Sequence, residues 1–106
     1  MRAMLEPAGF EVIEAEDGMT ALERYSVDRP DVVILDLVMK GMYGLDVLEK
    51  LRELDPAARV VVVSADVQQS SQDMVHAAGA MGFLNKPVER ERVLSVVRGA
   101  LERRAP

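Results

Sequence analysis

Asp36, Ser64 and Lys86 each close a short apolar run: VILD, VVVVS and FLNK. An aspartate is poor strand material and expensive to bury unpaired, so something downstream has to compensate that carboxylate or use it. A carboxylate can accept a phosphoryl group covalently as an acyl phosphate. A lysine at a neighbouring strand end would neutralise the phosphoryl charge, and a hydroxyl would donate a hydrogen bond to one of its oxygens. The loop after Asp36 can turn a backbone carbonyl toward a divalent cation, and magnesium takes one or two carboxylates together with phosphate oxygens. Each residue alone has an ordinary reading, because Asp and Ser punctuate turns and a lysine beside proline is usually just solvated. Joint placement at successive strand ends is what points to chemistry.

That placement depends on the elements that carry the three residues. MRAMLEPAG reads as a short helix stopped by Gly9. FEVIEAE reads as a strand, and in DGMTALERYSVDRP the residues Met19, Leu22 and Tyr25 recur at helical spacing. Asp17 suits the cap of that helix. Pro30 and Asp31 lead into a strand over Val32–Leu35. Leu45, Leu48, Leu51 and Leu54 stripe the next helix, which stops before Pro56. RVVVVSAD is a strand apolar on both faces, the pattern of a parallel sheet covered on each side. QQSSQDMVHAAGA is a helix ending near Gly79, MGFLNKPV a short strand, and Val93, Leu94, Val97, Ala100 and Leu101 form the stripe of a last helix. Strand and helix therefore alternate four times after an opening helix. The expected fold is α/β, a doubly wound parallel sheet, in which ligands collect beyond the carboxyl ends of the strands.

Composition narrows the function classes. The 106 residues suffice for one core, and a net charge of −5 argues against a nucleic-acid surface, which needs clustered excess cations. The arginines of RERVLSVVRGALERR are interleaved with glutamates and read as a solvated helix face. Without cysteine there is neither a disulfide nor a thiolate zinc site. Apolar runs of a few residues fall far short of the ~20 that span a bilayer. A soluble, cytoplasmic protein is expected. His76, the sole histidine, has no acidic or hydroxyl partner at catalytic spacing and is assigned to exposed helix surface. Met39 and Met42 are assigned to loop packing.

Over nearly its whole length the chain resembles the receiver domain of two-component response regulators. EAEDGMTALE looks like the family's second strand and the turn into its second helix, and DVVILDLVMKGMYGLDVLEKLR looks like the phosphoacceptor strand, loop and third helix. VVVVSAD and GFLNKPV match the remaining two signature strands. The resemblance implies a flavodoxin-like fold and one receiver domain over residues 1–106. It implies that Asp36 is the phosphoacceptor, charged by a histidine kinase or histidine phosphotransfer protein. It further implies Ser64 as switch hydroxyl, Lys86 as the conserved lysine, Phe83 as switch aromatic, Val38 as a backbone-carbonyl ligand to magnesium, and a cis Lys86–Pro87 bond. Phosphorylation would then repack the face of the fourth helix, last strand and last helix, which partner proteins read.

The chain also departs from the family pattern. The family opens with a central strand that ends in two adjacent acids, which hold magnesium, whereas this sequence starts within the helix that should follow. Asp36 and a carbonyl alone would hold magnesium weakly or not at all. Three resolutions are open: a longer receiver of which this is part, a second chain filling the gap by strand exchange or pairing in a homodimer, or direct closure of the flanking strands. Glu16 and Asp17 are adjacent acids, but AEDGMTALE fits the second strand's turn better than the missing pair. Lys40 and Tyr43 replace residues more usual in the phosphoacceptor loop, and Phe83 lacks the hydroxyl of the frequent tyrosine. Two competing readings are a degenerate receiver that binds partners without phosphorylation and a haloacid-dehalogenase-like phosphatase. The phosphatase reading meets Val38 where that class carries its general acid, so a non-enzyme is expected.

Overall fold

A computed structural model describes residues 1–37, 44–65 and 69–103, with backbone only for residues 69 and 70. In chain order the elements are α1 (Arg2–Leu5) with a 3-10 turn over Glu6–Ala8, α2 (Gly18–Asp28), β1 (Val33–Asp36), α3 (Gly44–Leu54), β2 (Val60–Ser64), α4 (Gln69–Ala77), β3 (Gly82–Asn85) and α5 (Arg90–Glu102). The strands form a parallel sheet in the order β1-β2-β3, in register from Val33↔Val60 to Asp36↔Val63 and from Val61↔Gly82 to Ser64↔Asn85.

The double winding follows from the four valines of β2. Val60 and Val62 enter one core with Leu35, Val47, Leu48, Leu51 and Val75, under α2, α3 and α4. Val61 and Val63 enter the other with Leu5, Leu84, Val93, Val97 and Ala100, over α1 and α5. Every β2 residue is buried, as a strand covered on both faces requires. The leucine stripe of α3 buries Leu48 and Leu51, but Leu54, expected to continue it, is 54% exposed at the last turn. In α2, Tyr25 is buried and Leu22 packs on the core, whereas Met19 is exposed. Helices thus follow their expected stripes except at the ends, where the stripe rotates off the sheet.

Two terminations work as the residues suggest. The Asp17 side chain accepts from the Thr20 backbone N–H at 2.8 Å, capping α2, and this hydrogen bond holds its carboxyl below the ordinary aspartate value. Beyond α4, Gly79 takes φ +103° and Ala80 N–H donates back to the Val75 carbonyl at 2.9 Å, so the helix ends where a left-handed residue is needed.

One expected element is corrected. FEVIEAE (residues 10–16) joins no strand ladder, and the strand read as Val32–Leu35 runs from Val33 to Asp36. A strand exists only by pairing at about 4.8 Å from a neighbour, and residues 11–16 instead face β1 across a cavity. They are tied to α1, because Arg2 Nη2 donates to the Val12 carbonyl at 3.1 Å and Phe10 N–H donates to the Leu5 carbonyl at 3.3 Å. Val12 still packs against the second core, although no ladder forms.

A polar tie locks α2 to the end of α3. The Tyr25 hydroxyl donates to Asp55 Oδ2 at 2.7 Å, Arg29 Nη1 donates to the same oxygen at 3.4 Å, and the Arg29 guanidinium lies 5.7 Å from the Tyr25 ring centre. Burial, then the neighbouring carboxylate, pushes the Tyr25 phenol up from 10.0 to about 12, while the phenol's hydrogen bond holds Asp55 below its ordinary value. Because the phenol is raised on folding, its contribution is full below pH 10 and is lost as pH climbs toward 12. Asp55 is depressed, so its contribution is present above pH 3.8 and is lost as pH falls through the folded value. Tyr25→Phe is therefore expected to cost about 1 kcal/mol at neutral pH. Urea unfolding of both proteins should show that gap closing in alkali and narrowing in acid; a gap constant from neutral pH into alkali would contradict the assignment.

Candidate functional site at the carboxyl ends of the strands

The parallel register decides where the three polar residues meet. Asp36 ends β1 opposite Val63, Ser64 ends β2 opposite Asn85, and Lys86 follows β3. Backbone hydrogen bonds carry the pairing past the strand ends: Leu37 N–H donates to the Val63 carbonyl at 3.1 Å and Lys86 N–H to the Ser64 carbonyl at 2.9 Å. Ser64 thus stands one residue beyond the partner of Asp36, and Lys86 one residue beyond the partner of Ser64. The staircase rises about 7 Å along the strands and spans about 10 Å across them.

The lysine closes that distance. Lys86 Nζ donates to Asp36 Oδ2, joining the last strand to the first over the central one. Both side chains are open to solvent, Lys86 at 46% and Asp36 at 34%. An ion pair this exposed is worth only about 0–1 kcal/mol to stability. Its consequence is positional, since an ammonium is held beside a carboxylate that a solution reagent can reach. Ser64, 4% exposed, lies on the strand between them. Phe83 sits three residues before Lys86, opposite Val62, half-buried against the core under α3 and α4. The Lys86–Pro87 bond is cis. His76 is exposed on α4. Val38, Lys40, Tyr43, Met39 and Met42 lie outside the described residues.

One residue passed over in the sequence carries much of the local geometry. Gly44 N–H donates to the Leu37 carbonyl at 2.8 Å, closing the base of the loop that follows Asp36. A Cβ at Gly44 would lie 2.5 Å from Leu37 Cα and 2.6 Å from the Asp36 carbonyl oxygen. Only glycine lets α3 begin so close to the end of β1. A glycine ending a loop was the available signal, but the collision is with backbone and cannot be read from residue type.

The chemistry open to the described residues is that of one nucleophilic carboxylate with a fixed cation. Magnesium asks for near-octahedral oxygen ligands, and among the described residues no three acidic or histidine side chains converge on one point. The described residues do not build that site alone.

Comparison with known proteins identifies the family and the fold. The family model for the response regulator receiver domain matches residues 1–98. The chain belongs to the response regulator receiver family. The receiver is 37% identical over 102 residues to the chemotaxis protein CheY of Bacillus subtilis, covering 95% of this chain and 85% of that one. It is 35% identical over 106 residues to response regulator MprA of Mycobacterium leprae, covering 100% of this chain and 46% of that protein. Among solved structures, a putative response regulator from Chloroflexus aurantiacus superposes with a TM-score of 0.91 at 28% identity, covering 96% and 85% of the two chains. CheY in the CheX-CheY-BeF3-Mg+2 complex from Borrelia burgdorferi gives 0.86 at 33% identity, covering 91% and 74%. The flavodoxin-like α/β fold of CheY-like receivers is therefore that of this chain. Among the described residues, no helix is long and apolar enough to cross a membrane.

The glycine at the head of α3 yields a paired test. Gly44→Ala should destabilise the receiver by about 1–3 kcal/mol or more, since backbone has to move. Gly99→Ala, where a Cβ meets nothing nearer than Arg103 Nη2 at 4.0 Å, should stabilise by about 0.5–1 kcal/mol through helix propensity. Denaturant midpoints of the two variants should move in opposite directions.

Proposed function

We propose that this receiver is a phosphoacceptor module of a two-component relay, with Asp36 as the acceptor. The observation that carries the reading is the Lys86–Asp36 contact, which holds a cation where phosphoryl charge would develop. An Asp36 carboxylate oxygen attacks the phosphorus of a phosphohistidine on a histidine kinase or phosphotransfer protein. The new O–P bond forms as the P–N bond breaks, the imidazole leaves with that electron pair, and an acyl phosphate remains on Asp36. Lys86 then transfers its hydrogen bond from the carboxylate to a phosphoryl oxygen. Ser64 donates its hydroxyl to another, Phe83 repacks, and the altered surface of α4, β3 and α5 is what a downstream protein reads. The cited CheX-CheY complex, a receiver bound to a second protein, supports a binding output. In this reading the chain is a stoichiometric acceptor in the cytoplasm and has no turnover of its own.

Incubation of the 106-residue chain with acetyl phosphate and magnesium should add one phosphoryl group by mass, mapped to Asp36. Asp36→Asn should add none, and Lys86→Ala should lower the yield by roughly tenfold or more, in line with loss of one charge-stabilising group. Equal labelling of Asp36→Asn would remove Asp36 as the acceptor, and an unmodified parent chain would remove the proposal and leave a receiver that binds partners without phosphorylation.

A further inference from the structure

The end of β3 carries two polar residues, Asn85 and Lys86, and the sheet sends them to opposite faces. Side chains alternate along a strand. Leu84 enters the core of Val61 and Val63, over α1 and α5, whereas Phe83 packs on the core of Val60 and Val62, under α3 and α4. One further step of the same alternation puts Lys86 on the face of Leu84 and Asn85 on that of Phe83. Ser64 continues the series of Val60 and Val62, so Ser64 and Asn85 share a face. Lys86 meets Asp36; the carboxamide beside it stands next to the serine.

Register makes that second pair direct neighbours. Ser64 and Asn85 are partners in the ladder of β2 and β3, and Lys86 N–H donates to the Ser64 carbonyl at 2.9 Å. The two backbones lie one strand spacing apart, about 4.8 Å, a gap that two short polar side chains close by a change of rotamer. Ser64 is buried and Asn85 is exposed. Among the described residues, no hydrogen bond holds the Asn85 carboxamide elsewhere. Asparagine is depleted in strands, so strand propensity does not account for it at this position.

Strand order gives the contact a direction. In the order β1-β2-β3, Ser64 lies between Asp36 and Asn85. A serine hydroxyl has one proton and two lone pairs, and it rotates to suit its neighbours. A carboxamide N–H arriving from β3 takes a lone pair on the side away from Asp36, and the proton then points back toward β1. We propose that Asn85 is a positioning residue of the phosphoacceptor site, donating Nδ2–H to Ser64 Oγ so that the Ser64 hydroxyl is aimed at the phosphoryl group on Asp36. This inference rests on the phosphoacceptor reading of Asp36 and Ser64. Asn85 touches no reacting atom; it sets the direction of the donor that does, and the first hydrogen bond polarises the second.

The test measures the initial rate at which acetyl phosphate, with magnesium, labels Asp36 of the 106-residue chain, read by mass. Asn85→Leu, close in size but without a donor, should label about two- to tenfold more slowly than the parent, the worth of one neutral hydrogen bond in a rate. Asn85→Gln keeps the amide and should recover most of that loss. In a Ser64→Ala background, Asn85→Leu should slow labelling no further, because the amide acts only through the hydroxyl. A parental rate in Asn85→Leu, an equal loss in Asn85→Gln, or the same slowing with and without the Ser64 hydroxyl would overturn the proposal and leave Asp36 as acceptor. A parent chain that takes no label would remove the phosphoacceptor reading and this inference together.

Discussion

Everything in this receiver depends on β2 being buried on both faces. Four consecutive valines cannot sit at a surface; they require a neighbour strand on each side and a helical layer above and below. Once β1 and β3 flank it in parallel, the carboxyl ends of all three strands lie at one edge of the sheet. The residues that follow those ends are then neighbours whatever their separation in sequence. Asp36 and Lys86 are 50 residues apart in the chain and in direct contact. The functional geometry is thus a consequence of hydrophobic burial, because no local interaction links these segments.

The two polar ties in the structure do different work. The Tyr25–Asp55–Arg29 cluster is anchored by a buried ring and carries shifted ionisation at both its phenol and its carboxylate. It links α2 to the chain beyond α3 and belongs to the stability of the fold. The Lys86–Asp36 pair is open to water, contributes little to stability, and can exchange one partner for another. A pair this exposed is broken at little cost, whereas a deeply buried pair would cost several kcal/mol to break.

Much of this was legible in the residues. The joint position of Asp36, Ser64 and Lys86 followed from apolar runs and a parallel-sheet rule, and the register places the three as that rule requires. Helix stripes, the Asp17 cap and the Gly79 stop are local, and local signals survive. The failures have a common cause. FEVIEAE has strand composition, but pairing is a property of two segments, and a single sequence run does not report whether its neighbour is in reach. Leu54 and Met19 continue helical periods that the sheet does not extend far enough to cover. Gly44 is decided by a backbone approach that no side-chain pattern encodes.

The position of β1 links the site to the rest of the sheet. Its carboxyl end is held on one side by β2 and closed above by the Gly44–Leu37 hydrogen bond, while its other side borders the cavity. Among the described residues β1 and β3 are each paired on one side only, and such strands open more readily than a central one, so Asp36 and Lys86 both extend from the less constrained strands. Lys86 and Asp36 both lie on the cavity wall. The geometry of the pair therefore depends on the short run of backbone from Ile34 to Leu37, held by the Leu37–Val63 and Gly44–Leu37 hydrogen bonds.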